Sequence, residues 1–151
     1  LQDKAAYLLR AKGNVSSESF LLGVLSSIPL DWYARRLVEL QVDFHVIQPF
    51  PIPRPDRHPA LSTRLHELSA RLVATDDRFS HWASSFGVEV GSLSTPDERA
   101  AAIAEIDALV AHLYGLTLEE LRSVFETFHD GWDFRPRLEA VLGFYRDWEG
   151  A

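Results

Sequence analysis

Four prolines alternate in the run Pro49-Phe50-Pro51-Ile52-Pro53-Arg54-Pro55, and they divide this chain in two. Proline has no backbone N–H and a locked φ, so every second residue here can donate nothing to a helix or a ladder. Such a segment is neither a helix nor a central strand. It is expected to run extended, as a stiff connector. Whatever precedes it must finish before Pro49, and whatever follows must start anew after Pro55.

Before the connector, Asp3–Ala11 reads as the tail of a helix ended by Gly13-Asn14. Ser16-Ser17 then caps a second helix, with Phe20, Leu21, Val24, Leu25 and Ile28 at apolar positions. Pro29 interrupts it, and because proline is tolerated in a first turn, a new helix can open there. That helix would carry Trp32, Tyr33, Leu37 and Leu40 on one side, with Asp31, Arg35, Arg36 and Glu39 elsewhere. From Gln41 the period changes to two. Val42, Phe44 and Val46 face one way and Asp43, His45 and Ile47 the other, which predicts a short strand over residues 42–48.

After the connector the pattern is helical throughout. Leu61, Leu65, Leu68 and Leu72 predict a helix over His58–Val73. Asp76 or Asp77 caps a short helix with Phe79, Trp82 and Phe86, stopped by Gly87. Thr95-Pro96-Asp97-Glu98 is a capping box with proline in the first turn, opening a helix to about Tyr114. Thr117-Leu118-Glu119-Glu120 repeats the box for a helix to about Phe128. Pro136 opens a last helix with Leu138, Val141, Leu142, Tyr145 and Trp148 inward. The fold class expected is α+β, mainly helical, with one small strand element.

Composition narrows the function classes. Hydrophobic residues at 46% and charged residues at 25% are ordinary for a globular chain. There is no apolar run long enough for a membrane span and no recognisable leader. The chain begins at Leu1 and contains no Met, so it reads as a piece of a longer protein. Without cysteine there are no disulfides, thiolate metal sites or Cys nucleophiles, which fits a cytoplasmic protein. The net charge of −7 argues against a free-standing electrostatic DNA binder. Its distribution is uneven. Residues 1–72 carry 9 Lys and Arg against 7 Asp and Glu, a net of +2; residues 73–151 carry 6 against 15, a net of −9. A nucleic-acid face therefore belongs in the first half. Its cations are nearly all arginine, which suits bidentate contacts to phosphate or guanine, although a GC-rich genome gives the same bias.

Catalytic signatures are scarce. The eight glycines form neither GxGxxG nor GxxxxGKS, and there is no GxSxG elbow or HExxH. Asp77 and His81 are four apart, a metal pair without a third ligand, and a cap followed by a surface histidine accounts for them. His129-Asp130 before Gly131 reads as a turn, with a metal-hydrolase dipeptide as the competing reading. No catalytic, cofactor-binding or metal-binding residue is assigned.

The motif run Leu22-Gly23-Val24-Leu25-Ser26-Ser27, Pro29 and Asp31-Trp32-Tyr33-Ala34-Arg35-Arg36 is followed by Val42-Asp43-Phe44-His45-Val46-Ile47-Gln48-Pro49-Phe50-Pro51-Ile52-Pro53. Together they resemble the last unit of the target-recognition region in adenine-specific DNA methyltransferases of the restriction-modification and phage-defence class. The stretch Ala104–Leu121, with its Tyr114-Gly115-Leu116 exit into a Thr-capped helix, is similar to the helical tail of the same enzymes. The family's S-adenosylmethionine motif and its Asn/Asp-Pro-Pro-Tyr/Phe motif are not found in these residues. The family often has Asn where this chain has Asp43 and Gln48.

The resemblance implies that residues 1–57 end a DNA target-recognition region and residues 58–151 form a helical C-terminal subdomain. It implies double-stranded DNA and an upstream methyltransferase domain as partners. S-adenosylmethionine would be the cofactor of the parent and not of this piece. The DNA-facing candidates are Arg35, Arg36, His45, Gln48, Arg54 and Arg57. The other reading is a helical module that docks on a protein or a neighbouring domain and never touches DNA.

Overall fold

The computed structural model describes residues 15–37 and 47–150. These form seven α-helices: α1 (Val15–Leu25), α2 (Ile28–Ala34), α3 (Pro59–Val73), α4 (Ser80–Ser84), α5 (Pro96–Tyr114), α6 (Leu118–Glu126) and α7 (Arg135–Asp147). Single 3₁₀ turns at Pro55–Arg57 and Asp77–Phe79 precede α3 and α4.

The fold is organised around α5, in which every residue from Ala104 to Ala111 is buried. A helix apolar nearly all round belongs in a core rather than at a surface. Its two sides differ in size. Ala104, Ala108 and Ala111 recur at helical spacing and form a shallow stripe, against which Leu121, Phe125, Val141 and Leu142 of α6 and α7 pack. Ile106, Leu109, Val110 and Leu113 form a bulky stripe that meets Phe20 and Val24 of α1 and Leu61, Leu65 and Leu68 of α3.

Two capping boxes set the ends of α5 and α6. Thr95 accepts from the Glu98 N–H, and Thr117 from the Glu120 N–H, while each glutamate accepts the N–H of its threonine in return. Those backbone bonds hold the Glu98 and Glu120 carboxyls below the usual range. Gly115 closes α5 at φ 68°, a left-handed conformation that costs glycine nothing. The break at Pro29 is real: α1 ends at Leu25, and Ser27 caps α2 by accepting from the Leu30 N–H.

α1 crosses α3 at Gly23. A Cβ there would run into the Ser69 hydroxyl and the Leu65 side chain, so only glycine permits this approach. Beside the crossing, the buried Ser19 hydroxyl lies 2.8 Å from His66 Nδ1, and burial lowers the His66 pKa.

Asp107 is a carboxylate fully buried on α5. Its Oδ1 accepts the Ile28 N–H at 2.8 Å. Its Oδ2 accepts from Arg137 of α7, with Nε at 2.8 Å and the nearer terminal nitrogen at 2.7 Å. Burial pushes the Asp107 carboxyl up to about 6, against the opposing pull of Arg137 and the Ile28 N–H. A second pair stands nearby: Arg64 of α3 grips Glu105 through two nitrogens at 2.8 and 2.9 Å, and the Trp148 indole N–H donates to the same carboxylate at 3.2 Å.

Several expectations need correction. No strand occurs among the described residues. The predicted strand at 42–48 lies mostly outside them, and its end is not extended: Ile47 opens a turn in which the Phe50 N–H returns to the Ile47 carbonyl at 3.1 Å. The α+β class is thus a helical architecture over these residues. α2 stops at Ala34, and Leu37 is 44% exposed rather than inward. The α1 helix already runs through Ser16-Ser17, so these do not cap it. The predicted helix tail at Asp3–Ala11 and Leu40 lie outside the described residues. Trp148 follows α7 as its C-cap, at the edge of the core. α1 and α2 pack on α3, α5 and α6. None of the helices described is long and apolar enough to cross a membrane.

Gly23→Ala forces α1 and α3 apart and is expected to cost about 1–3 kcal/mol, read as a lowered midpoint in urea. Arg137→Gln leaves the Asp107 charge buried without its partner and is expected to cost about 3–5 kcal/mol at neutral pH. Asp107→Asn should cost far less, because Asn still accepts the Ile28 N–H and Arg137 still reaches solvent. The pH sign follows from the raised carboxyl. An acid with a folded pKa above its unfolded value is destabilising when ionised, and protonation relieves it. The Arg137→Gln deficit should therefore be smaller at pH 5 than at pH 8, whereas a deficit independent of pH would refute this account of the joint.

Candidate nucleic-acid interface

The two adjacent arginines at the end of α2 form a ledge with aromatic residues from the far end of the chain. Asp31 opens this part of the helix, and Arg35 lies one turn on, so the two meet: Arg35 Nε sits 3.3 Å from Asp31 Oδ1, with the side chains 49% and 45% exposed. The Arg35 guanidinium also lies over the Phe128 ring, 4.4 Å from its centre. Arg36 turns the other way and covers Trp32, with its guanidinium carbon 3.9 Å from the ring centre. Among the described residues Arg36 makes no ion pair, so its N–H groups are presented to solvent from a fixed platform.

That platform is anchored across the chain. The Trp32 indole N–H donates to Thr127 Oγ at 2.9 Å, and the Thr127 hydroxyl donates to the Ser123 carbonyl at 2.6 Å. Phe128 packs edge-on against Trp132 at 5.3 Å, and Trp132 also stacks on Phe125 and leans on Phe134. The turn at His129-Asp130-Gly131 presents these rings. Gly131 has φ 77°, and His129 Nδ1 lies 2.7 Å from the Asp130 carbonyl rather than its carboxylate. Among the described residues no three His, Asp or Glu side chains are grouped as a metal would require.

The connector supplies the other candidates. Phe50 meets Tyr33 of α2 edge-on at 6.1 Å, which ties the start of the connector to the ledge helix. Gln48 is exposed in the turn before it. Arg54 bonds Asp56 through two nitrogens at 3.3 and 3.0 Å, with both side chains about two-thirds exposed, at 68% and 65%. This arginine lowers the Asp56 pKa. Arg57 is exposed in the 3₁₀ turn and pairs with no carboxylate among the described residues. His45 lies outside the described residues. The structure thus joins Arg35 and Arg36 in one surface and leaves Gln48, Arg54 and Arg57 exposed before, within and after the connector. Sequence reasoning missed Phe128 as the partner of Arg35 and Trp132 as the ring behind it. The signal was the aromatic run Phe125–Phe134 around a glycine turn, but nothing in it names α2 as its neighbour.

Beneath the ledge lies an apolar cleft of about 200 Å³, lined by Pro29, Trp32, Tyr33, Pro51, Tyr114 and Val124 among others. The Tyr114 hydroxyl is buried there without a hydrogen-bond partner among the described residues, and burial raises its pKa to about 12. No protein-family model, curated protein or solved structure matches the chain.

An unpartnered buried hydroxyl costs stability, so removing it should cost nothing. Tyr114→Phe is expected to leave the melting temperature unchanged or raise it, by the equivalent of up to about 1 kcal/mol. A clear drop would mean that the hydroxyl has a partner in solution.

Proposed function

We propose that this chain is the end of the target-recognition region, with its helical tail, of an adenine-specific DNA methyltransferase of the restriction-modification class. On this reading it holds duplex DNA through arginine–phosphate contacts while the methyl transfer takes place elsewhere in the parent. The observation that carries the reading is that the two segments bearing the family resemblance belong to one packed unit. Asp107, in the tail segment, accepts the backbone N–H of Ile28, in the recognition segment. Trp32 of the recognition segment bonds to Thr127, just beyond the tail segment. Arg35 and Arg36 then stand outward from that joint on aromatic supports. The +2 first half agrees with this placement.

The second reading, a docking module that never touches DNA, is favoured by a specific feature of the same ledge. Trp, Phe and Arg are the residues enriched at protein interfaces, and here they are grouped at an exposed edge.

The test is a titration of the chain with a random-sequence duplex at low and moderate salt, followed by fluorescence anisotropy. The DNA reading expects weak binding that fades as salt rises and weakens further in the double variant Arg35→Ala/Arg36→Ala, with a salt slope reduced by roughly 1 per lost phosphate contact. Binding that is absent at low salt, or indifferent to both substitutions, would leave the docking module as the better reading.

A further inference from the structure

The candidate cations differ in what occupies them. Arg36 rests on the face of Trp32 and pairs with no carboxylate among the described residues. Arg35 and Arg54 each face a carboxylate from their own segment through two nitrogens, Asp31 one helical turn before and Asp56 two residues after. A carboxylate offers the same pair of anionic oxygens to a guanidinium that a phosphate does. Both pairs are exposed, so each is weak and open to exchange.

We propose that Asp31 and Asp56 are phosphate mimics in cis: they occupy Arg35 and Arg54 in the free protein and compete with a nucleic-acid phosphate for them. This rests on the DNA reading above and adds the residues that set its strength. Arg36 is an open contact, as is Arg57 in the 3₁₀ turn. Arg35 and Arg54 engage only when a phosphate is positioned well enough to displace the carboxylate, which holds down binding to DNA in general while leaving a correctly seated duplex its full set of contacts. The geometry favours this at Arg35 in particular. Phe128 supports the guanidinium from its face, so the cation keeps its place when its edge changes partner.

The test uses the full chain and a random-sequence duplex at low salt. Asp31→Asn and, separately, Asp56→Asn are expected to tighten binding roughly two- to fivefold, the range set by an exposed ion pair. The gain must act through the paired arginine. In an Arg35→Ala background, Asp31→Asn should therefore give little or no gain, and likewise Asp56→Asn in an Arg54→Ala background. An equal gain in both backgrounds would reduce the effect to net charge and overturn the proposal. So would unchanged affinity in both Asn variants. Arg36→Ala separates the two levels of argument. If the chain binds and Arg36→Ala weakens it while the Asn variants behave as wild type, the DNA reading stands and the mimics fall. If neither the wild type nor the Asn variants bind, both fall. Circular dichroism melts of each variant exclude loss of fold as the cause of a lost gain.

Discussion

Asp107 is the group on which the arrangement of this fold depends. A fully buried carboxylate is costly unless its oxygens are satisfied, and here each has a defined donor. One oxygen takes the first backbone N–H of α2, which no residue within that short helix can take. The other takes the guanidinium of α7. One side chain on α5 therefore fixes where α2 starts and where α7 lies. Burial pushes this carboxyl up while both donors pull it down. Its geometric effect is to tie the start of α2 and the body of α7 to one point on α5.

Around that joint, side-chain size decides distance. The alanine stripe of α5 admits α7 and the ring of Phe125 close to its backbone, and the bulky stripe keeps α1 and α3 further out. Gly23 reverses this on α1, where the absence of a Cβ lets α3 approach. A helix of only seven residues such as α2 would be marginal alone. It is held by the Ser27 cap, by Pro29 in its first turn, by Asp107 and by the Trp32–Thr127 bond. The ledge owes its geometry to these four constraints, since Arg35 and Arg36 directly follow the helix.

Much of the helical layout was legible because its signals are local. Both capping boxes, the restart at Pro29, the stop at Gly115 and the leucine spacing of α3 are contained within a few residues, whereas α4 ends at Ser84, before the expected stop at Gly87. The misreadings came where a local pattern had two outcomes. Leu37 continues the apolar spacing of α2, but Arg35 to Leu37 form a turn, so the spacing no longer maps onto a face. Ile47 and Gln48 completed an alternating run, yet alternation does not hold a chain extended without a neighbouring strand to pair with. Asp107 was invisible as a joint because one carboxylate within an apolar helix carries no mark of its partners, which lie 79 residues before it and 30 after. Of the site candidates, Arg35 and Arg36 are exposed because they follow the end of α2, not through a place around it. The aromatic support of Arg35 was not legible, since Phe128 is far away in sequence.

The uneven charge of the chain looks different once the carboxylates are placed. The second half is strongly acidic, but several of its carboxylates serve the construction of the fold. Asp76, Glu98 and Glu120 cap helix starts, and Glu105 and Asp107 are consumed in pairs with Arg64 and Arg137. Exposed charges act on one another only within about 8 Å at physiological salt. The net charge of −7 is therefore a poor guide to what an arginine surface on α2 accepts. The charges that count there are local: two guanidiniums seated on aromatic rings, and the carboxylate of Asp31 that shares one of them.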